Sequence, residues 1–275
     1  MTITLYRTTG GPVAVRGREH CSLDRDWDEL FNQTDLYGWL EDCLGRSPRP
    51  GGSIETIRAP IGRQEVWAAG VTYYRSRVAR MEESQQAGGG DFYDRVYDAE
   101  RPEIFFKATA SRVVGDGEAM CLRADSSWIV PEPELVLAVN RTGTIFGYTI
   151  GNDLSCRDIE GENPLYLPQA KTFDRCAALG PGISVTREPL SRDARIELAI
   201  ERGADTVFAG DTTLAELKRG FDELVGFLFR DNSHPNGCFL MTGTGIVPPD
   251  TVSLERGDVV RISIDGLGTL TNRMD

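Results

Sequence analysis

Residues Leu135 to Val139 read LVLAV, an unbroken apolar run. A run this short, bounded by turn residues, reads as a buried β-strand rather than a helix. Asn140 to Thr144, NRTGT, has the composition of a hairpin turn, and IFGYTIGND, Ile145 to Asp153, reads as the returning strand. Such a hairpin needs a core to bury it. With 275 residues, 40% of them apolar and 26% charged, the chain can build one. The anomaly is the mouth of the first strand, where Glu132 and Glu134 stand between and beside Pro131 and Pro133.

The rest of the chain sorts around this hairpin. Thr2 to Arg7 and Val13 to Val15 read as short β pieces. SLDRDWDELFN begins with Ser22, a residue that can cap a helix, and has acids in its first turn. DLYGWLEDCLG puts Leu36, Trp39, Leu40 and Leu44 on one helical face and stops at Gly45. RSPRPGGS, Arg46 to Ser53, is the clearest linker, and it divides a small N-terminal domain (1–63) from a larger domain (64–275). The larger part is mainly β, so the fold class is α+β. A helix is expected within TTLAELKRGFDELVGFLFRD. There Thr213 and Glu216 have capping-box spacing, and Leu214, Leu217, Phe221, Leu224, Val225 and Leu228 share a face. The loop-rich stretch Gln85 to Asp94 is a candidate lid.

Charge narrows the partners. A net charge of −12 argues against nucleic acid and anionic membrane, which both need a basic footprint. An anionic small substrate stays open, because a metal or a local basic cluster can reverse the field in one pocket. No apolar run approaches a membrane span, the N-terminus has no signal-peptide core, and six cysteines form no CxxC pair. The expectation is a cytoplasmic protein with reduced thiols. Only two histidines are present, His20 and His234, which disfavours a zinc site.

Side chains two apart on a strand share a face, so Glu132 and Glu134 converge if the strand already runs there. Adjacent buried carboxylates repel, and a divalent cation removes that cost. Hard oxygen ligands suit Mg²⁺, with Mn²⁺ or Ca²⁺ as substitutes. Asp153, at the end of the returning strand, supplies a third acid.

In their order, EPELVLAV, GYTIGNDLSCRD, QAKTFD, LGPGI and TGTGIVPP resemble the fumarylacetoacetate hydrolase superfamily, from about Trp67 to Met274. The resemblance implies a catalytic domain built on a rolled, mixed β-sheet, preceded here by a small α/β region. It implies Mg²⁺ or Mn²⁺ held by Glu132, Glu134 and Asp153, a functional lysine at Lys171, and a threonine of the late TGT loop at Thr244. Family members assemble as homodimers or homotetramers, and the same is expected here.

The members that cleave C–C bonds carry an NYxxHxxE-like segment whose His and Glu activate water. Here Ser76 stands at the His position and Ala79 at the Glu position, with Glu82 or Glu83 as conceivable substitutes. GVTYxxSxxAR, PEIFFK and RDIEGENPLYLPQAK look more like the branch that dehydrates 2-keto-3-deoxy sugar acids, such as 2-keto-3-deoxy-arabinonate, to 2,5-dioxo acids. That branch implies Mg-dependent loss of water through a metal-stabilised enolate, with Glu103 and Lys171 as the acid/base pair. Arg75, Ser76, Arg77 and Thr244 are candidate ligands for the 2-keto acid substrate, and Phe106 a candidate pocket wall. Arg157 and Asp158 are expected to pair and hold a loop. The competing readings are an acylpyruvate or fumarylpyruvate hydrolase and a non-catalytic binding module.

Overall fold

The computed structural model describes residues 2–46, 49–50, 56–75 and 96–275. Ser76, Arg77 and the candidate lid Gln85 to Asp94 lie outside the described residues.

Strand Pro133–Val139 is buried at every position because both of its faces and both of its edges are covered. Its edges pair antiparallel with Ile145–Asp153 on one side and with Cys238–Met241 on the other. Leu135, Leu137 and Val139 enter one hydrophobic core; Val136 and Ala138 enter a second, on the opposite face. This is why the run is continuous rather than alternating. Each such side chain contributes roughly 1.5–3 kcal/mol when removed from water, so the hairpin is rigid enough to hold polar groups at its end.

The hairpin lies inside a mixed twelve-stranded sheet. The first core is closed by a separate five-stranded sheet, including Arg195–Arg202, Asp205–Thr213, Val259–Ile264 and Gly268–Met274. The second core is closed by helices Trp27–Phe31 and Leu36–Arg46, which bury Leu30, Phe31, Leu36, Leu40 and Leu44. Strands Ile3–Thr8, Gly11–Arg16 and Glu19–Ser22 extend the large sheet, Ile3–Thr8 pairing with Ala177–Val185. With Arg49–Pro50 and Ile57–Arg58, the N-terminal segment thus lends five strands and two helices to the same layers. The architecture is α+β and mainly β, as expected. No described helix is long and apolar enough to cross a membrane.

Two helix starts differ from expectation. The first helix is capped by Asp26, whose carboxylate accepts from the Asp28 and Glu29 N–H groups, not by Ser22. Ser22 is still in a strand paired with Val13. The later helix spans only Phe221–Leu228. Thr213 is held in the sheet opposite Arg195, Leu214–Glu216 makes a single 3₁₀ turn, and Leu217 bridges to Tyr73. Glu223, not Glu216, accepts the cap N–H, from Gly220 at 3.3 Å. Sheet pairing overrode a local capping signal.

Candidate metal and acid–base site

The site forms where the central hairpin ends. Pro133 faces Asn152 and Glu134 faces Gly151 across the ladder, and the Asp153 N–H donates to the Glu132 carbonyl at 3.0 Å. One carboxylate oxygen from each of Glu132, Glu134 and Asp153 lies within 4.8 Å of the others, and all three side chains are buried. The returning strand brings Asp153 to the pair, as its position in the sequence suggested. Glu132 itself sits one residue before the strand begins.

Three buried cations surround these acids. Lys171, last residue of the helix Leu167–Lys171, places Nζ 2.6 Å from Glu132 Oε2, 3.1 Å from Asp153 Oδ2 and 3.5 Å from Glu160 Oε1, and donates to Ser155 Oγ at 2.5 Å. Arg157, which opens the helix Arg157–Glu162, donates to Glu132 Oε1 at 2.6 Å. Lys107, on strand Glu103–Thr109, lies 2.5 Å from Asp153 Oδ1. Four buried acids (Glu132, Glu134, Asp153, Glu160) thus meet three buried bases (Lys107, Arg157, Lys171).

The unmatched acid is visible in Glu134. Burial pushes its carboxyl well above the usual carboxylate range, and the charges of Asp153 and Glu132 add to the push; Lys171 and the Gly243 N–H, 2.5 Å from Oε2, only partly offset it. Gly243 can make this contact because its φ is +92° and a Cβ there would collide with Thr72 Oγ1. Three converging oxygen ligands, with an excess of negative charge that the protein's own cations leave unbalanced, fit a hard divalent ion.

Thr244 lines the same cleft, together with Ala69, Gly70, Val71 and Phe105. Glu103 pairs across the strands with Gly70 and lies over it: a Cβ on that glycine would sit 2.0 Å from Glu103 Oε2. Its carboxylate therefore lies against a cleft-lining glycine, while Glu103 itself is not among the cleft-lining residues. Phe106 is turned the other way, its ring 5.6 Å from Trp67 in an edge contact. The aromatic wall is its neighbour Phe105, whose ring centroid is 5.5 Å from Lys171 Nζ. Alternation along a strand makes this a one-residue error. Arg75 is exposed and is not among the cleft-lining residues. Arg157 does not hold Asp158: that carboxylate accepts from Ser126 Oγ and from the Ser127 N–H and Oγ, while Arg157 turns to Glu132. Neither histidine lines the cleft; His234 is buried against Trp67 and Phe229.

Sequence reading passed over Lys107, Ser155 and Glu160. Glu160 had a local signal, since three residues after Arg157 on a helix puts both side chains on one face. Lys107 had none.

Comparison with known proteins places this geometry. The profile of the fumarylacetoacetate (FAA) hydrolase C-terminal family matches residues 66–275. The chain belongs to that family. Within it, a relative from Haloferax volcanii named as a probable 2-keto-3-deoxyxylonate dehydratase is 49% identical over 97% of this chain and 87% of its own length. The 2-dehydro-3-deoxy-D-arabinonate dehydratase of Saccharolobus solfataricus is 45% identical over 78% of this chain and 72% of its own. A solved family structure, 2-keto-3-deoxy-D-arabinonate dehydratase complexed with magnesium and 2,5-dioxopentanoate, superposes with a TM-score of 0.83 at 34% identity, covering 100% of this chain and 99% of that one. The family expectation drawn from EPELVLAV and GYTIGNDLSCRD thus holds over the larger part of the chain.

Proposed function

We propose that this protein is a Mg²⁺-dependent hydro-lyase that removes water from a 2-keto-3-deoxy sugar acid, such as 2-keto-3-deoxy-arabinonate, to give a 2,5-dioxo acid. The observation that carries the reading is Lys171 Nζ lying against two of the three buried carboxylates, Glu132 and Asp153, so that a proton-carrying group and a hard-cation site share one cleft. The dehydratases above support it by their identity to this chain.

Glu132, Glu134 and Asp153 would hold the Mg²⁺, which when bound would supply Lewis-acid polarisation of the substrate's keto group and so make the C3 protons more acidic. Lys171, acting as the neutral amine after its own proton has left, takes a C3 proton at Nζ, and the Glu103 carboxyl gives a proton to the C4 hydroxyl, which leaves as water. Depth supports this order. Lys171 is fully buried beside the metal ligands, whereas Glu103 is only partly buried and lies over Gly70. The resulting C3=C4 enone loses a proton from C5 and gains one at C3 to give a C4=C5 enol, and transfer of the C5 hydroxyl proton to C4 then leaves the aldehyde at C5. Phe105 and Val71 limit water in the cleft, and Thr244 is a candidate partner for a substrate oxygen.

C–C hydrolysis needs a group that activates water, and no imidazole lines the cleft among the described residues. Assembly as a homodimer or homotetramer and a cytoplasmic setting belong to the same proposal; light scattering reads the assembly. The deciding experiment incubates the protein with Mg²⁺ and either 2-keto-3-deoxy-arabinonate or fumarylpyruvate, and follows products by mass spectrometry. Loss of one water from the sugar acid, abolished by chelator and restored by Mg²⁺ or Mn²⁺, is expected. Cleavage of fumarylpyruvate with the sugar acid untouched overturns the reading.

A further inference from the structure

A lysine with no exposed surface needs an explanation, because stripping water from an ammonium costs several kcal/mol unless its donors are met. Lys107 is such a residue. Its Nζ lies 2.5 Å from Asp153 Oδ1 and donates to the Leu154 carbonyl at 2.9 Å and to the Lys171 carbonyl at 2.5 Å. Two backbone carbonyls accept from it, and Asp153 Oδ1 is held as a close ion pair outside hydrogen-bond geometry. The backbone is shaped to allow it. Trp67 faces Phe106 across the strands and Val66 faces Ala108, so Lys107 is the extra, bulged residue between them. Bulges re-aim a side chain beside a site. The contact is returned, since Thr172 Oγ1 donates to the Lys107 carbonyl at 3.1 Å.

We propose that Lys107 is the positioning residue of the metal centre. It decides which oxygen of Asp153 faces the ion and fixes the end of the helix that carries Lys171. With Oδ1 tethered, Asp153 presents Oδ2 to the cluster, on the side where Lys171 Nζ bridges it to Glu132 Oε2. With Oδ1 held by Lys107, Oδ2 is the oxygen that Asp153 would offer a cation. The same ammonium, bonded to the Lys171 carbonyl, sets the distance between that ligand and the proton-carrying amine. Lys107 is not among the cleft-lining residues; it acts through two that are, Asp153 and Lys171. The inference rests on reading Glu132, Glu134 and Asp153 as metal ligands and is independent of the reaction catalysed.

Mn²⁺ binding, followed by the electron paramagnetic resonance signal of the free ion, tests this without substrate. Lys107→Met keeps chain length and removes the donors. Lys107→Arg keeps the charge, but its planar fork cannot meet two carbonyls and a carboxylate oxygen around one point. In both variants Mn²⁺ binding is expected to weaken about 10–100-fold, the usual cost of losing a partner that orients a metal ligand. Turnover at saturating Mn²⁺ should stay depressed with KM for substrate little changed, because the Lys171 carbonyl has lost its tether. Thermal unfolding confirms that each variant is folded. If Lys107→Met does not fold, Lys107→Arg decides. Wild-type Mn²⁺ affinity in a folded variant overturns the proposal. Wild-type protein that binds no Mn²⁺ overturns the metal reading itself, and the proposal with it.

Discussion

Lys171→Met probes the charge balance of the site. The ammonium of Lys171 contacts Glu132, Asp153, Glu160 and Ser155 within 3.5 Å, and its side chain is almost fully buried. Methionine preserves the reach of the side chain and removes the charge. In metal-free protein the change leaves the acids facing each other with one cation fewer. Removing one partner of a buried pair costs about 3–5 kcal/mol. In a chain of this size that lowers Tm by roughly 6–20 °C. With saturating Mg²⁺ the divalent charge neutralises the same oxygens, so much of the loss should be recovered. The rise in Tm on adding Mg²⁺ is therefore expected to be larger in Lys171→Met than in wild type. Turnover of the sugar acid should fall about 10²–10⁴-fold, the usual worth of a group that moves a proton in the rate-limiting step. Differential scanning fluorimetry in chelator and in Mg²⁺ reads the first quantity, and product mass spectrometry the second. Equal Mg²⁺-induced shifts in both proteins would refute the electrostatic argument, and near-normal turnover would refute the role of the amine.

Three further outcomes follow from the same structure. Because burial and two neighbouring acids raise the Glu134 carboxyl well above its ordinary range, Mg²⁺ binding competes with protonation of that carboxyl. Calorimetric Mg²⁺ titrations in buffers of different ionisation enthalpy should show proton release, with affinity rising with pH until Glu134 is ionised. The native state then binds more protons than the unfolded one, so metal-free stability should fall as pH rises from the ordinary carboxylate range through the raised value. Asp258 behaves oppositely. Burial pushes it up, but two bonds from Arg202 at 2.8 Å each and the Glu255 N–H at 2.8 Å outweigh this and hold it below the usual range. Its contribution should be present at neutral pH and lost as pH falls through its lowered value, and Asp258→Asn should cost about 1.5–3 kcal/mol in denaturant unfolding. Glu103→Gln should reduce turnover about 10²–10⁴-fold while leaving Mn²⁺ affinity unchanged, and weakened metal binding would place Glu103 among the ligands instead.

The hairpin was readable because its signal is local. LVLAV has no polar residue to turn outward, and NRTGT has the composition of a turn, so strand, turn and return strand follow from a window of about twenty residues. Ile145–Asp153 came out with its expected ends. Glu132, Glu134 and Asp153 were readable for the same reason, since each is fixed to that hairpin. Parity along the strand misled only where it was not applied: Phe106 follows Phe105 in sequence and points to the other face. The Thr213–Glu216 spacing failed because a strand pairing to Arg195 claimed Thr213 first. Arg157 was assigned to its neighbour Asp158, yet two serines of another loop took that acid and freed the guanidinium for Glu132.

By itself the sequence determined that a buried hairpin would carry acids at its end and, through its ordered motifs, which family would use them. Only the tertiary structure decided which cations answer those acids. Lys107, Arg157 and Lys171 come from three elements, and their partners lie as far as 64 residues away in the chain. A local pattern tells a side chain which face it occupies. Which charge stands opposite depends on strand order, on the slip in pairing at Lys107 and on where the short helices end, and those are set by closing the whole sheet around its two cores.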